Sequence, residues 1–344
     1  MNMKRIAVLS LTASLLLALP LAAKKKPAVE ETKPVSRYIA TQVAAVIDAN
    51  APQRLNRTDI PLTLLPTLFL PAQQNYLYPV FLFQVKNSDL NPVAALETPE
   101  VLSAKFHLFT RLYKLENGTL GAVVRERYIP FNLEENKSAF LPEAVNYYSV
   151  AGELFPAGNY LLALALSTPD FARITVVFGE VSLPDVAQLQ GKLDTTPVFS
   201  VTGLKQKPVA ETRLAIHKNS FAYNTLELSP NVSNEFKVGE NLDLFFFILG
   251  AKPDAANAYN LQVTYRFKKE GKEVRKLGPV PAPGVIISQP IALTFTEITK
   301  NAKGVETDRK ELKMEPGDYV LEIELLDNVS KAAAVKEFKF RIVL

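Results

Sequence analysis

The sequence predicts an all-β protein, with two tandem immunoglobulin-like β-sandwich domains that follow a cleaved signal peptide. A repeated stretch, apolar alternation around turns, and an apolar leader lead to this prediction. "PAGNYLLALAL" begins at Pro156 and "PGDYVLEIELL" at Pro316, about half a chain apart. Period-two alternation beside a turn marks a β-hairpin with one buried face. Several short strands with closely spaced turns are typical of a β-sandwich.

Each copy of the repeat predicts a strand that opens on a tyrosine. Alternate residues from Tyr160 to Leu166 point one way, and alternate residues from Tyr319 to Leu325 do the same. We expect each tyrosine to bury its ring and to donate its hydroxyl to a backbone carbonyl, as in the tyrosine corner of immunoglobulin-like domains. We also expect two independent domains, so that each tyrosine supports the stability of its own domain alone.

The likeness between the two halves continues upstream. "NYLYPVFLFQV" from Asn75 matches "NLDLFFFILG" from Asn241 as an apolar, aromatic-rich strand. After each comes a predicted hairpin, with turns at Gly118 and Gly271. The order of strand, hairpin, long connection and second hairpin therefore occurs twice.

The composition of the intervening segments predicts the domain boundaries. "SRYIATQVAAVIDAN" has apolar residues at helical spacing and is the helical candidate. "LPDVAQLQGKLDTTP" lacks apolar alternation and is interpreted as a linker. The predicted parts are a signal peptide at 1–23, a flexible tail at 24–37, a first sandwich with a short N-terminal helix at 38–182, the linker at 183–197, and a second sandwich at 198–344.

The start of the chain predicts export. Lys4 and Arg5 precede the apolar stretch "IAVLSLTASLLLALPLAA", which ends in small residues. This stretch approaches the ~18–20 residues of a membrane-spanning helix, but Pro20 and the Ala-Ala exit favour cleavage near Lys24. Cleavage removes two positive charges and lowers the net charge from +4 to +2 (4 − 2). We expect a bacterial protein of the periplasm or the exterior, with no transmembrane segment after cleavage.

Several classes of function lack the residues that they need. The chain has no cysteine, which removes thiol catalysis and thiolate metal sites. Its positive charges form no stripe of the kind that nucleic-acid binding requires. His107 and His217 stand in no catalytic or zinc-binding motif, and no phosphate-binding glycine loop occurs. We therefore expect no catalytic residue, no cofactor, no metal site and no nucleic-acid partner.

Three aromatic residues are the candidate interface. Phenylalanines occupy positions 245–247, and neighbouring residues of a strand point to opposite faces. With Phe245 and Phe247 in the domain core, Phe246 faces outward, towards the first domain or a partner. Tyr147 and Tyr148 are the other candidates, because they offer aromatic faces in a chain without tryptophan.

Two stretches carry a resemblance to a known group of proteins. "RTDIPLTLLPTLFLP…NYLYPVFLFQV" and "VGENLDLFFFILGA…PGDYVLEIELLDNVS" resemble the uncharacterised β-sandwich regions of secreted acidobacterial von Willebrand factor A-related proteins. The resemblance implies a β-sandwich fold and export. It implies no activity, because the Asp-x-Ser-x-Ser signature of the metal-binding A domain is absent.

These observations favour a non-enzymatic exported protein, a protein-binding or scaffold module of the bacterial cell envelope. Its expected partner is another envelope protein. Two alternatives stay open on the sequence: a carbohydrate-binding surface protein, and a carboxylate-based hydrolase with a site at the domain junction.

Overall fold

Strands dominate the computed structural model, which describes residues 39–300 and 306–344. The predicted signal peptide and tail lie outside the described residues. Helix α1, Thr41–Asn50, confirms the helical candidate. Short 3₁₀ turns occur at Ala51–Gln53, Gln73–Asn75, Asn87–Leu90 and Val186–Leu189.

Ten strands precede the predicted linker. They are β1 (Arg57–Thr58), β2 (Thr63–Leu64), β3 (Leu68–Pro71), β4 (Leu77–Lys86), β5 (Val93–Ala94), β6 (Val101–Glu116), β7 (Thr119–Asn136), β8 (Val145–Ala151), β9 (Gly158–Ser167) and β10 (Ile174–Leu183).

The remaining described strands follow β10. They are β11 (Asp194–Thr195), β12 (Phe199–Gln206), β13 (Ala215–Lys218), β14 (Phe221–Tyr223), β15 (Leu226–Pro230), β16 (Glu235–Lys237), β17 (Asn241–Leu249), β18 (Leu261–Lys269), β19 (Lys272–Ala282), β20 (Ile286–Ala292), β21 (Thr294–Lys300), β22 (Glu306–Lys313), β23 (Gly317–Asp327) and β24 (Ala333–Val343).

Strands β21 and β22 pair with each other in a separate ribbon, and the other strands form two β-sandwiches, each with an outer and an inner sheet. The first outer sheet contains the order β10-β9-β6-β7, and the second outer sheet contains the matching order β24-β23-β18-β19. The first inner sheet runs β13-β8-β4-β2, with β3 also on β4; the second is centred on β17, between β12 and β20. The four hairpins predicted from the sequence, β6–β7, β9–β10, β18–β19 and β23–β24, are confirmed.

The two inner sheets pack against each other, so the sandwiches share an apolar layer, called here the middle layer. Tyr78, Val80 and Leu82 on β4 belong to it together with Phe245 and Phe247 on β17. The alternate residues of both strands face the cores of their own sandwiches. Strands β4 and β17 are therefore buried on both faces, which is why they appear in the sequence as continuous apolar runs.

Helix α1 covers the outer face of the first outer sheet. Val43 and Ile47, both 0% exposed, pack with Leu161, Ala163 and Ala165 of β9. In the second outer sheet the corresponding face of β23 is not covered by a helix among the described residues. This difference explains why β9 is apolar on both faces while β23 alternates apolar and acidic residues.

Two short strands tie the predicted linker and second domain to their neighbours. Within the predicted linker, β11 pairs with β17. Strand β13 lies in the range predicted for the second sandwich, yet it pairs with β8 and forms the edge of the first inner sheet. The middle layer and this strand join the two halves.

Candidate functional site

A groove opens between β7 and β13, where the two sheets of the first sandwich present their edges. Residues 129–134 of β7 form one wall, and Ala215, Ile216 and Lys218 of β13 form the other. Tyr148 also lines the groove, whose volume is about 420 Å³. Ile129, Phe131 and Leu133 also belong to the first sandwich core, so the floor is apolar.

Both walls direct backbone groups away from their own sheets. Pro130 has no N–H, and proline is tolerated within a sheet where its nitrogen points off the ladder. In an antiparallel pair, residues that hydrogen-bond to the neighbouring strand alternate with residues whose N–H and C=O groups point away from it. Asn132 and Glu134 lie two and four residues after Pro130, so they also point these groups outward from β6.

The same reasoning applies to β13. The N–H of Asn219 donates to the carbonyl oxygen of Tyr147 at 2.9 Å. This bond shows which residues of β13 hydrogen-bond to β8 and which do not. Ile216 and Lys218 lie at the intervening positions and point their backbone groups away from β8. No turn or loop of residues 39–300 and 306–344 hydrogen-bonds to the outward groups of the two walls.

Tyr148 places a polar atom in this apolar setting. It is 1% exposed, its ring stacks on Phe83 at 5.5 Å, and the edge contact with Phe131 is at 4.9 Å. Among the described residues no group is hydrogen-bonded to its hydroxyl. Burial raises the pKa of Tyr148, and the nearby charge of Glu135 raises it further, so the hydroxyl stays protonated as a donor.

Glu134 and Lys218 are the charged residues that line the groove, and Glu135 lies beside them. Lys218 Nζ lies 3.0 Å from Glu135 Oε2. Glu134 is exposed, and no ion pair is formed with it among the described residues. One carboxylate of the rim is therefore free to meet a cation.

A loop hydrogen bond holds β13 in place. Glu211 accepts from Lys207 at 2.5 Å, and its other oxygen lies 2.8 Å from His217 Nε2. Burial would raise the pKa of Glu211, but the bonds to Lys207 and His217 outweigh it, so this pKa lies below its usual value. His217 thus anchors a strand edge, and His107 bonds Tyr128 at 2.9 Å on the opposite face of the first sandwich.

The three predicted interface residues are buried. Tyr147 faces the middle layer and donates its hydroxyl to the carbonyl of Asn219 at 2.5 Å, whereas Tyr148 faces the first core and the groove. Phe246 is 0% exposed in the second core. Phe245 and Phe247, rather than Phe246, face the first sandwich, because the phase of β17 is opposite to the one assumed from the sequence. A role of these residues towards a partner stays a prediction.

A second cleft of about 370 Å³ lies beside the predicted linker. Lys336 and Asp194, 2.5 Å apart, are among its lining residues, with Phe69, Ser182 and Glu337. The lysine neutralises one of the carboxylates that a junction hydrolase would need. Across residues 39–300 and 306–344, no group of three or more histidine, aspartate or glutamate side chains could hold a metal ion.

No family model and no curated protein matches the chain. Among solved structures it is similar to fibronectin(III)-like modules of Clostridium thermocellum CbhA, with 11% identity over 83% of this chain and 94% of that chain, and a TM-score of 0.18. At that TM-score the likeness carries no argument, and the fold rests on the strand pairing. In the described residues, no helix is long and apolar enough to span a membrane. The chain is an all-β protein of two joined immunoglobulin-like sandwiches.

Proposed function

We propose that this chain is a non-enzymatic, protein-binding scaffold module of the bacterial cell envelope, and that it binds its partner at the groove between β7 and β13. The observation that carries the proposal is the pair of open strand edges beside an apolar floor. Unpaired strand edges are templates for another polypeptide. A sugar or small metabolite hydrogen-bonds to single backbone groups, but it has no backbone repeat that pairs with two whole rows.

Export to the envelope is part of the proposal and is supported by the leader "MNMKRIAVLSLTASLLLALPLAA". The resemblance to secreted von Willebrand factor A-related proteins supports the same address. Both stay predictions, since the leader lies outside the described residues.

Site-specific photo-crosslinking in the native organism tests the binding site. A benzophenone amino acid in place of Asn132, on the groove, is compared with the same group in place of Val274, which is 47% exposed on β19 of the second sandwich. We expect from position 132 a discrete adduct of higher mass that yields peptides of a second protein, and no adduct from position 274.

Three results would count against the proposal. Adducts of equal yield at both positions would indicate a non-specific surface. An adduct whose added mass is removed by glycosidases would favour the carbohydrate alternative. The absence of any adduct at position 132, in cells that produce the protein at its native level, would remove the groove as the binding site.

A further inference from the structure

We propose that the groove between β7 and β13 receives an extended segment of a partner protein as an additional β-strand, and that this segment carries a lysine or arginine. The inference rests on the proposed function and names the conformation and the charge of the partner. It follows from the backbone phase of the walls, the hydroxyl of Tyr148 and the charge of the rim.

The backbone of the walls selects an extended ligand. Residues 129–134 of β7 present an edge of roughly 20 Å, at about 3.3 Å per residue. Asn132 and Glu134 on one wall, and Ile216 and Lys218 on the other, offer outward N–H and C=O groups at every second residue. Only an extended chain has complementary groups at that spacing. A helix satisfies its own backbone groups and would leave those of the walls unpaired.

The hydroxyl of Tyr148 lies buried beneath the floor, without a hydrogen-bond partner among the described residues. A buried hydroxyl without a partner is unfavourable, so a ligand that shifts the floor enough to reach this hydroxyl and accept its hydrogen bond gains affinity. The carbonyl oxygen of an incoming strand is a suitable acceptor. Since burial and Glu135 keep this hydroxyl protonated, the donor is present at any physiological pH.

The rim determines the charge of the ligand. The ion pair between Lys218 and Glu135 leaves Glu134 without a cation. A lysine or arginine side chain on the incoming strand would meet Glu134, whereas a glutamate would be repelled. The charged rim and Pro130 also discourage two copies of this chain from pairing edge to edge.

A synthetic peptide tests the inference. The probe is a soluble ten-residue peptide in which threonine and valine alternate around one central lysine, and its binding to the full chain is measured by fluorescence anisotropy. One control has alternate amide nitrogens methylated, which blocks strand pairing but keeps the side chains. The second control has glutamate in place of lysine. We expect the lysine peptide to bind at least about tenfold more tightly than either control.

Variants of the groove separate the contributions. Asn132→Pro removes an outward N–H without touching the β6–β7 ladder, so the fold should survive while affinity falls by at least about tenfold. Tyr148→Phe should weaken the lysine peptide roughly 3- to 10-fold. Glu134→Lys should make the chain bind the glutamate peptide more tightly than the lysine peptide. Glu273→Lys, on β19 of the second sandwich, should leave the affinity for both peptides unchanged.

The outcomes are distinguishable from those of the proposed function. Equal binding of the methylated peptide, or unchanged affinity in Asn132→Pro, would overturn strand addition. If position 132 crosslinks to a protein in cells but neither the lysine peptide nor its glutamate control binds, strand addition is wrong and the protein-binding groove stands. If neither experiment gives a signal, both proposals fall. Circular dichroism of each variant confirms that its strand content is retained.

Discussion

At the scale of single residues, the repeat is explained by two tyrosines. Tyr160 donates its hydroxyl to the carbonyl of Pro156 at 3.0 Å, and Tyr319 donates to that of Glu315 at 2.8 Å. A lysine lies over each ring, Lys114 at 4.7 Å and Lys269 at 5.6 Å from the centroid. The predicted tyrosine corner is therefore confirmed in both halves, and each corner locks the start of the central strand of an outer sheet.

Removal of a tyrosine hydroxyl should affect stability differently at the two corners and at the groove. Tyr160→Phe and Tyr319→Phe each lose a hydrogen bond and leave a backbone carbonyl without its partner. Each should therefore lower the free energy of unfolding by about 1 kcal/mol. Tyr148→Phe removes a buried hydroxyl that has no partner and should leave this free energy unchanged or raise it. Urea denaturation of the three variants measures the difference. A loss in Tyr148→Phe equal to that in Tyr160→Phe would show that its hydroxyl is already satisfied in the free protein.

The sequence predicted the position of the two corner tyrosines, but it did not predict which way Tyr148 at the groove faces. The turn before Tyr160 and the turn before Tyr319 are local signals, and they place each tyrosine at the start of a strand. Tyr147 and Tyr148 are adjacent aromatic residues in one strand, and nothing in the local pattern says which of them faces which layer. The register of β8 between β4 and β13 decides this, and that register depends on distant residues.

At the scale of elements, α1 is attached to the first outer sheet by an ionic cluster as well as by apolar packing. Arg111 of β6 lies 2.5 Å from Asp48 of the helix and 2.5 Å from Glu126 of β7. The side chains of Arg111 and Glu126 are 5% and 3% exposed, whereas that of Asp48 is 63% exposed. The buried partner, Glu126, therefore depends on Arg111 far more than the exposed one does.

This asymmetry gives a matched set of variants. Arg111→Ala leaves a buried carboxylate unpaired and should cost about 3–5 kcal/mol. Asp48→Asn breaks only the exposed half of the cluster and should cost no more than about 1 kcal/mol. The double variant Arg111→Met with Glu126→Leu removes both charges and should recover most of the loss, because the pair is replaced by apolar packing. Urea denaturation checks all three, and a double variant as unstable as Arg111→Ala would contradict this account.

Long strands with strong alternation were predictable, whereas the neighbours of short strands were not. Strands β4, β6, β9, β17, β18 and β23 all lie where the apolar pattern placed them. Strand β8 fell inside a predicted connection. Strand β13 lies in "RLAIHKNSFAYNTLEL", which the sequence predicts to supply opening strands of the second domain; the strand is present, but its neighbour is β8 of the first sandwich. The ribbon of β21 and β22 was also missed, since the residues of β22 are mostly charged and the two strands pair with each other.

At the scale of the whole molecule, the middle layer changes the expected unfolding behaviour. Independent domains would unfold in two transitions, which is the expectation from the sequence. In the structure, residues of both halves share an apolar layer, and every described residue belongs to one compact unit. Neither sandwich can unfold without exposing the inner face of the other.

Calorimetry of two truncations distinguishes these cases. Tyr160→Ala and Tyr319→Ala should each cost roughly 3–5 kcal/mol, as large aromatic truncations in cores do. We expect both to lower the midpoint of the same single transition. If each variant instead lowered its own transition and left a second one unchanged, the middle layer would contribute little and the two sandwiches would be independent.

The candidate groove depends on how distant parts of the molecule pack together, and it could not be predicted from the sequence. Lys218 and Glu135, which meet across its rim, are 83 residues apart in the chain. Their strands come from different predicted domains. Local patterns identify a strand and its buried face, but they do not show which two edges will lie next to each other.

The position of β13 has a consequence for how the repeat can be divided. A fragment that ends within residues 183–197 would lack the edge strand of its own inner sheet and would expose Tyr78, Val80 and Leu82 to water. The complementary fragment would expose Phe245 and Phe247. Either half produced alone should therefore be prone to aggregation. Mixing the two halves should restore solubility only when β13 reaches its place beside β8. Although the pattern of strands occurs twice, we expect the smallest soluble fragment to contain both sandwiches.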